Sequence, residues 1–284
     1  VAYTAPHWPL HALEEDIEKY RGMYDEGWEP VRVARYQRLR EMGLIDNTWQ
    51  LSPPDETVPA WENLTEQERI WYRRAMEVYA AQIDRMDQNI GHLLDALDET
   101  GQLENTIVIF MSDHGEMLGD HGVYLKGPHF YDEAVRVPLI FSWKDRFATD
   151  LRADCLMELI DIAPTLLEAA NIEIPETIQG RSLMPILLGQ ADASQHRDYV
   201  FSEYYNAWTH KHSYGSMLRT REEKIVVYHG TDQGELYDLK NDPDEFENLW
   251  NTPEHANRKL RLMKACFDAS VFTMDPSPPR LGPF

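Results

Sequence analysis

Apolar and polar positions along this chain follow first a helical and later a strand period. Ile70, Met76, Tyr79, Ile83, Met86, Ile90, Leu93, Leu94 and Leu97 recur at helical spacing. Thr65 with Glu68 makes a capping box ahead of them, and Gly101 offers a left-handed stop, so a long helix is predicted between those points. The apolar run Ile107-Val108-Ile109-Phe110-Met111 then predicts a strand from Thr106, buried on both faces. It ends abruptly at Ser112-Asp113-His114-Gly115, the end where open α/β sheets place their ligands.

Other segments read more locally. The chain up to about Tyr20 is a loop rich in Pro, His and Trp, and Arg21 to Gly43 a short helix. Leu51 to Leu64 is a loop, Val137 to Trp143 a strand, and Leu183 to Leu188 a short apolar segment. Cys155 to Ala170 reads as a helix interrupted at Pro164, with Asp161 capping its second part. A boundary falls at Gln190 to Arg197. Beyond it, Tyr199–Tyr204, Tyr214–Arg219, Lys224–Tyr228 and Gly234–Leu239 predict a small antiparallel sheet. Arg258 to Phe267 predicts a helix on that sheet, followed by an extended Pro-rich tail. Two parts result, 1–197 and 198–284.

At 284 residues the chain is long enough for a core and one appended subdomain. Its net charge of −22 argues against nucleic acid, whose phosphates need basic patches. No run of about 18 apolar residues exists, so no membrane span is encoded. The two cysteines, Cys155 and Cys266, read as buried thiols.

Against that acidic background, a few residues invite chemistry. Asp113 supplies a hard oxygen and His114 a borderline nitrogen, a pair able to hold one divalent cation if Gly115 turns the backbone. Lys126, twelve residues after His114, offers a cation for an anionic substrate. His7 stands between Pro6 and Pro9, which limit its backbone. His129 could line a pocket, and His121 shapes a loop. Glu133 and Arg136, three apart, suit a helical ion pair supporting Lys126. Glu116 and Asp120 are not required as ligands, and Arg69, Arg73 and Arg74 read as a solvated helix face.

The segment from Ser112 to Gly122, with Lys126 and Arg136-Val137-Pro138-Leu139-Ile140, resembles the sulfatase family of the alkaline-phosphatase-like superfamily. Ala5-Pro6-His7-Trp8-Pro9-Leu10 is similar to that family's substrate-histidine segment, and Leu159 to Leu167 to its helix after the core. The resemblance implies an α/β/α sandwich, here its later part, followed by an antiparallel α+β subdomain. It implies hydrolysis of a small-molecule sulfate ester. Asp113 and His114 would hold a divalent metal, His7 and Lys126 would be catalytic and contact substrate together with His129, and Glu133 and Arg136 would support them. The metal would be calcium, or manganese given the imidazole.

One part of the family pattern is missing. Sulfatases carry Cys-x-Pro-x-Arg or Ser-x-Pro-x-Arg, whose first residue becomes the formylglycine nucleophile. Neither cysteine here is followed by proline two positions later. Ser52-Pro53-Pro54-Asp55-Glu56 lacks the arginine, and Ser277-Pro278-Pro279-Arg280 has it one position early. The family's early acidic ligands are absent as well. The chain starts at Val1, directly before an active-site motif, so it reads as the carboxyl-terminal part of a longer sulfatase, inactive alone, with formylglycine in the missing part. Two alternatives remain: a phosphonate monoester or phosphodiester hydrolase on the same scaffold, and a non-catalytic interaction protein that keeps the fold.

Overall fold

The computed structural model describes residues 1–45, 50–51, 53–54, 58–206 and 213–273. The segments 52–56 and 277–281 lie partly or wholly outside them, as does the tail expected to be extended. The chain divides into two compact units, 1–107 with 119–122, and 108–118 with 123–284.

The first unit is built along helix α3 (Glu66–Glu99). Its start follows the sequence signal. The Thr65 hydroxyl accepts from Glu68 N at 3.3 Å, and Thr65 N donates to the Glu68 carboxylate at 2.8 Å. Thr65→Ala should therefore cost about 1 kcal/mol in urea unfolding; a loss below about 0.3 kcal/mol would mean the cap contributes nothing. At the other end Gly101 takes φ 68°, ending the helix as expected.

The segment before α3 departs from expectation in two places. Glu14–Glu18 forms a short helix, α1, where a loop was expected. The reason is long-range: Asp16 is buried and accepts from Arg85 Nε at 2.7 Å and Lys19 Nζ at 3.1 Å. Helix α2 covers Trp28–Glu41 and not Arg21–Gly43, because Gly27 breaks the chain at φ 87°. The arginines of α3 are also not a solvated face. Arg73 pairs with Asp25 at 3.3 Å and Glu66 at 3.0 Å, Arg74 with Glu14 at 2.8 Å, and Arg69 Nε donates to Trp61 O at 3.2 Å. Meanwhile Ile70, Met76, Ile83 and Leu93 stay exposed, and the buried positions of α3 are Glu77, Ala81 and Gln82.

Among its described residues the second unit holds two sheets. Strand β1 (Val108–Met111) pairs antiparallel with β2 (Leu139–Ser142). Phe110 and Met111 are 41% and 40% exposed, so β1 is not the doubly buried strand its apolar run predicts. β-Branched residues favour a pleated strand whether or not both faces are covered.

Four more strands form an antiparallel sheet in chain order: β3 (Val200–Tyr205), β4 (Tyr214–Arg219), β5 (Glu223–Tyr228) and β6 (Gly234–Asp238). Alternate residues face opposite sides. Leu218, Ile225 and Leu236 meet Leu262, Cys266 and Ala269 of the helix Ala256–Phe272, together with Leu249 and Trp250. Met217 and Val226 meet Phe130 and Val135 on the other side. The segment around 130–135 is thus packed directly on this sheet. Gly215 is where it comes closest: a β-carbon there would stand 2.8 Å from the Phe130 ring.

Three helices complete the unit beside the short α4 (Asp132–Val135): α5 (Ile162–Ala169), α6 (Met184–Leu187) and α7 (Ala256–Phe272). The helix expected from Cys155 is shorter at its start, because Leu156 bridges to Arg197 instead. Asp161 does not cap α5 with its side chain. It is fully buried and accepts from Arg197 Nε at 3.0 Å, so a tertiary partner outcompetes the local cap. Both thiols are free, Cys155 half-buried and Cys266 buried, and burial pushes the Cys266 thiol up to about 11.

Candidate functional site: the loop after the first strand

The chain leaves β1 into a turn tied by its own side chains. Ser112 Oγ donates to His114 O at 2.7 Å, and His114 N donates to Asp113 Oδ1 at 3.0 Å. These bonds bring the two candidate ligands to one side. His114 Nε2 and Asp113 Oδ2 are 3.5 Å apart. The other ring nitrogen, Nδ1, lies 2.8 Å from Gly115 O. A carbonyl only accepts, so Nδ1 donates there, and Nε2 is the ring nitrogen turned toward Asp113 and open to a cation.

That arrangement suits a cation. Adjacent ligands on one divalent ion at about 2.2 Å each stand on the order of 3 Å apart. The Asp113 and His114 side chains are 83% and 45% exposed, leaving room for further ligands. Among the described residues no group of three or more His, Cys, Asp or Glu could hold a metal, so these two are a partial donor set.

Gly115 is needed for a reason other than the expected turn. Its φ is not positive; the left-handed positions of this loop are Leu118, Gly119, His121 and Gly122. Gly115 N donates to Ala134 O at 2.8 Å, and a β-carbon on Gly115 would lie 1.8 Å from Glu133 O. It is a point of close backbone approach to α4.

Glu116 has a use the sequence did not suggest. Its Oε1 accepts from Met117 N at 3.0 Å and also from Lys126 N. One carboxylate thereby ties the half-buried Lys126 to the Asp113–His114 loop. His129 stacks on Tyr131, with ring centroids 6.3 Å apart. Glu133 lies in α4, and Arg136 at its end reaches Asp132 Oδ2 at 3.7 Å.

His7 belongs to the first unit, whereas Asp113, His114, Lys126, His129, Glu133 and Arg136 belong to the second. The His7 side chain is exposed, its Nδ1 lies 2.6 Å from Trp8 O, and its ring stacks on Trp8.

A charged cluster with no signature in the sequence lies behind α4. Lys224 Nζ, fully buried, is 3.1 Å from Asp132 Oδ1 and 2.5 Å from Glu245 Oε1. Arg219 Nη2 is 3.2 Å from Asp132 Oδ2. Burial opposes the Asp132 charge, but Lys224 and Arg219 outweigh it and hold that carboxyl below its ordinary value. Glu245, with burial the larger effect, is pushed up to about 7. A lysine in a strand carries no local mark of such partners.

Comparison with known proteins settles the lineage of this loop. A family model described as "Sulfatase" matches residues 1–172, and one described as "N-sulphoglucosamine sulphohydrolase, C-terminal" matches 119–270. The chain belongs to the sulfatase family. It is 35% identical to an N-acetylglucosamine-6-O-sulfatase of Bacteroides thetaiotaomicron, over 68% of this chain and 35% of that protein. It is also 35% identical to an arylsulfatase of Clostridium perfringens, over 68% of this chain and 39% of the relative.

Solved structures agree on the fold. One is a protein in complex with its substrate D-glucosamine-2-N,6-O-disulfate: TM-score 0.67, 26% identity, 96% of this chain and 55% of that one. A phosphonate monoester hydrolase from Silicibacter pomeroyi gives TM-score 0.65 and 26% identity, over 95% of this chain and 52% of that one. The sulfatase chain thus has the α/β fold of the alkaline-phosphatase-like sandwich. It spans about a third to a half of the length of these matches.

Proposed function

We propose that this sulfatase chain forms the metal-loop part of a metal-dependent enzyme that hydrolyses small-molecule sulfate esters, the later core being 1–197 and the appended subdomain 198–284. The observation that carries the reading is the facing of His114 Nε2 and Asp113 Oδ2 at 3.5 Å, on a loop to which Glu116 ties Lys126. A divalent cation held by Asp113 and His114, calcium or manganese, would neutralise charge on the ester oxygens. Lys126 places an ammonium for those oxygens and for the charge developing on the leaving oxygen. By the family resemblance His7 would serve the leaving group as an acid and His129 would contact substrate. Glu133 and Arg136 support the lysine segment.

The nucleophile, a formylglycine by family resemblance, has no precursor motif in this sequence. The chain alone should therefore bind an aryl sulfate and not turn it over. Lys126→Ala should weaken that binding at least tenfold in calorimetric titration, since a charge-assisted contact is worth roughly 1.5–3 kcal/mol. Turnover by the purified chain that disappears in Lys126→Ala would overturn the assignment of the nucleophile.

Imidazole at position 114 also favours a second reading, hydrolysis of a phosphonate monoester or phosphodiester, the activity named for one structure of the same fold. Rates of the full-length parent on an aryl sulfate and an aryl phosphonate separate the two.

A further inference from the structure

We propose that the buried Lys224–Glu245 pair of the C-terminal sheet is a positioning device for the Asp113–His114 loop, acting through α4. The proposal rests on reading Asp113 and His114 as cation ligands.

Glu245 grips two elements at once. Its Oε1 is 2.5 Å from Lys224 Nζ on β5, and its Oε2 accepts from Asp132 N at 3.0 Å, at the first residue of α4. Lys224 in turn holds the Asp132 carboxylate at 3.1 Å, with Arg219 of β4 on the other oxygen at 3.2 Å. The start of α4 is thus fixed through both its backbone and its side chain. Two residues on, Ala134 O accepts from Gly115 N at 2.8 Å, and Glu133 O fills the space beside Gly115. Gly115 O then accepts from the His114 ring at 2.8 Å, fixing which nitrogen faces Asp113. Every link is a polar contact or one turn of chain.

Stability alone does not account for this cluster. Apolar replacement of a buried ion pair is often neutral or stabilising. Glu245 also sits at φ 58°, a strained position for a side-chain residue, between β6 and α7. What the cluster supplies is a defined height and direction for the α4 carbonyls. The groups facing Glu245 are Lys224 of β5, Asp132 of α4, Tyr131 before it and Tyr237 of β6.

The test uses the full chain, its Gly115 amide exchange read by NMR, and Mn2+ alone as the metal probe. Glu245→Gln keeps an acceptor for Asp132 N, whereas Glu245→Met removes it at similar volume. Gly115 exchange should stay within twofold of wild type in Glu245→Gln and rise at least tenfold in Glu245→Met. Mn2+ affinity should fall about tenfold in the Met variant only, and amides of α7 should be unchanged. Asp132→Leu, which removes the carboxylate that Lys224 and Arg219 hold, should give the same tenfold rise and decides the matter if Glu245→Met does not fold. Gly115 exchange within twofold of wild type in a folded Glu245→Met or Asp132→Leu chain overturns the proposal. If the wild-type chain binds no Mn2+ that Asp113→Ala abolishes, the ligand reading fails instead, and the exchange arm still decides the positioning.

Discussion

Gly115→Ala should destabilise the chain by about 3 kcal/mol and abolish cation binding at the loop after β1. The added β-carbon would sit 1.8 Å from Glu133 O and 2.9 Å from the carbonyl carbon. Neither neighbour is the flexible end of a side chain. Relief requires α4 and the loop to separate, which breaks the Gly115 N to Ala134 O bond of 2.8 Å. The His114 ring loses its seat with that movement, because Gly115 O anchors its Nδ1. Gly119→Ala is the matched control. Gly119 has φ 101° and nothing within 4 Å of an added β-carbon, so its cost is backbone strain alone, about 1 kcal/mol, and the His114 seat survives. Urea unfolding and Mn2+ titration of both variants read the two effects separately. Equal losses in the two would mean that backbone conformation, and not close approach to α4, sets the requirement for glycine at position 115.

The contrast between these glycines marks what the sequence could disclose. Signals carried by a few adjacent residues were legible: the Thr65–Glu68 box, the Gly101 stop, and the period-two runs, among which Tyr214–Arg219 coincides with β4. The Asp113 to Lys126 motif was legible too, because its residues lie within a short stretch. Contacts spanning the chain were not. Glu245 reaches Asp132 across 113 positions and Lys224 reaches Asp132 across 92, and neither residue type announces a buried partner. The same blindness explains α1, which owes its place to Asp16 bonding Arg85 across 69 positions. It explains Arg73 and Arg74 as well, whose carboxylate partners include residues of earlier segments. Apolar spacing predicted the length of α3 correctly and said nothing about which of its faces would be covered.

Asp161 makes that limit measurable, since its sequence position suggested a helix cap worth about 1 kcal/mol and its surroundings imply far more. The carboxylate is fully buried and meets only donors. Arg197 Nε donates to it at 3.0 Å, Arg197 Nη2 also bonds it, Arg181 N donates at 2.7 Å, Glu158 N at 3.0 Å, and His196 Nε2 at 3.1 Å. An asparagine in its place would be isosteric, yet its amide adds two hydrogens to a site that supplies none but hydrogens. Arg197, with a side chain 9% exposed, would keep Glu158 at 3.3 Å as its one anionic partner among the described residues. Asp161→Asn should therefore cost about 3–5 kcal/mol, the range for breaking one side of a buried ion pair. Its pH dependence has a defined sign. Burial raises the Asp161 carboxyl, but Arg197 and the backbone donors outweigh burial and hold it below its ordinary value. A carboxyl lowered in the folded state stabilises above its unfolded value, near 3.9, and loses that stabilisation as pH falls through the folded value. Glu158 runs the other way, because burial raises its carboxyl, and its contribution is lost as pH rises above the ordinary glutamate range. The difference in unfolding free energy between wild type and Asp161→Asn should thus be constant near neutrality and shrink only below about pH 4. A difference near 1 kcal/mol at pH 7 would return Asp161 to the cap that its sequence position suggests.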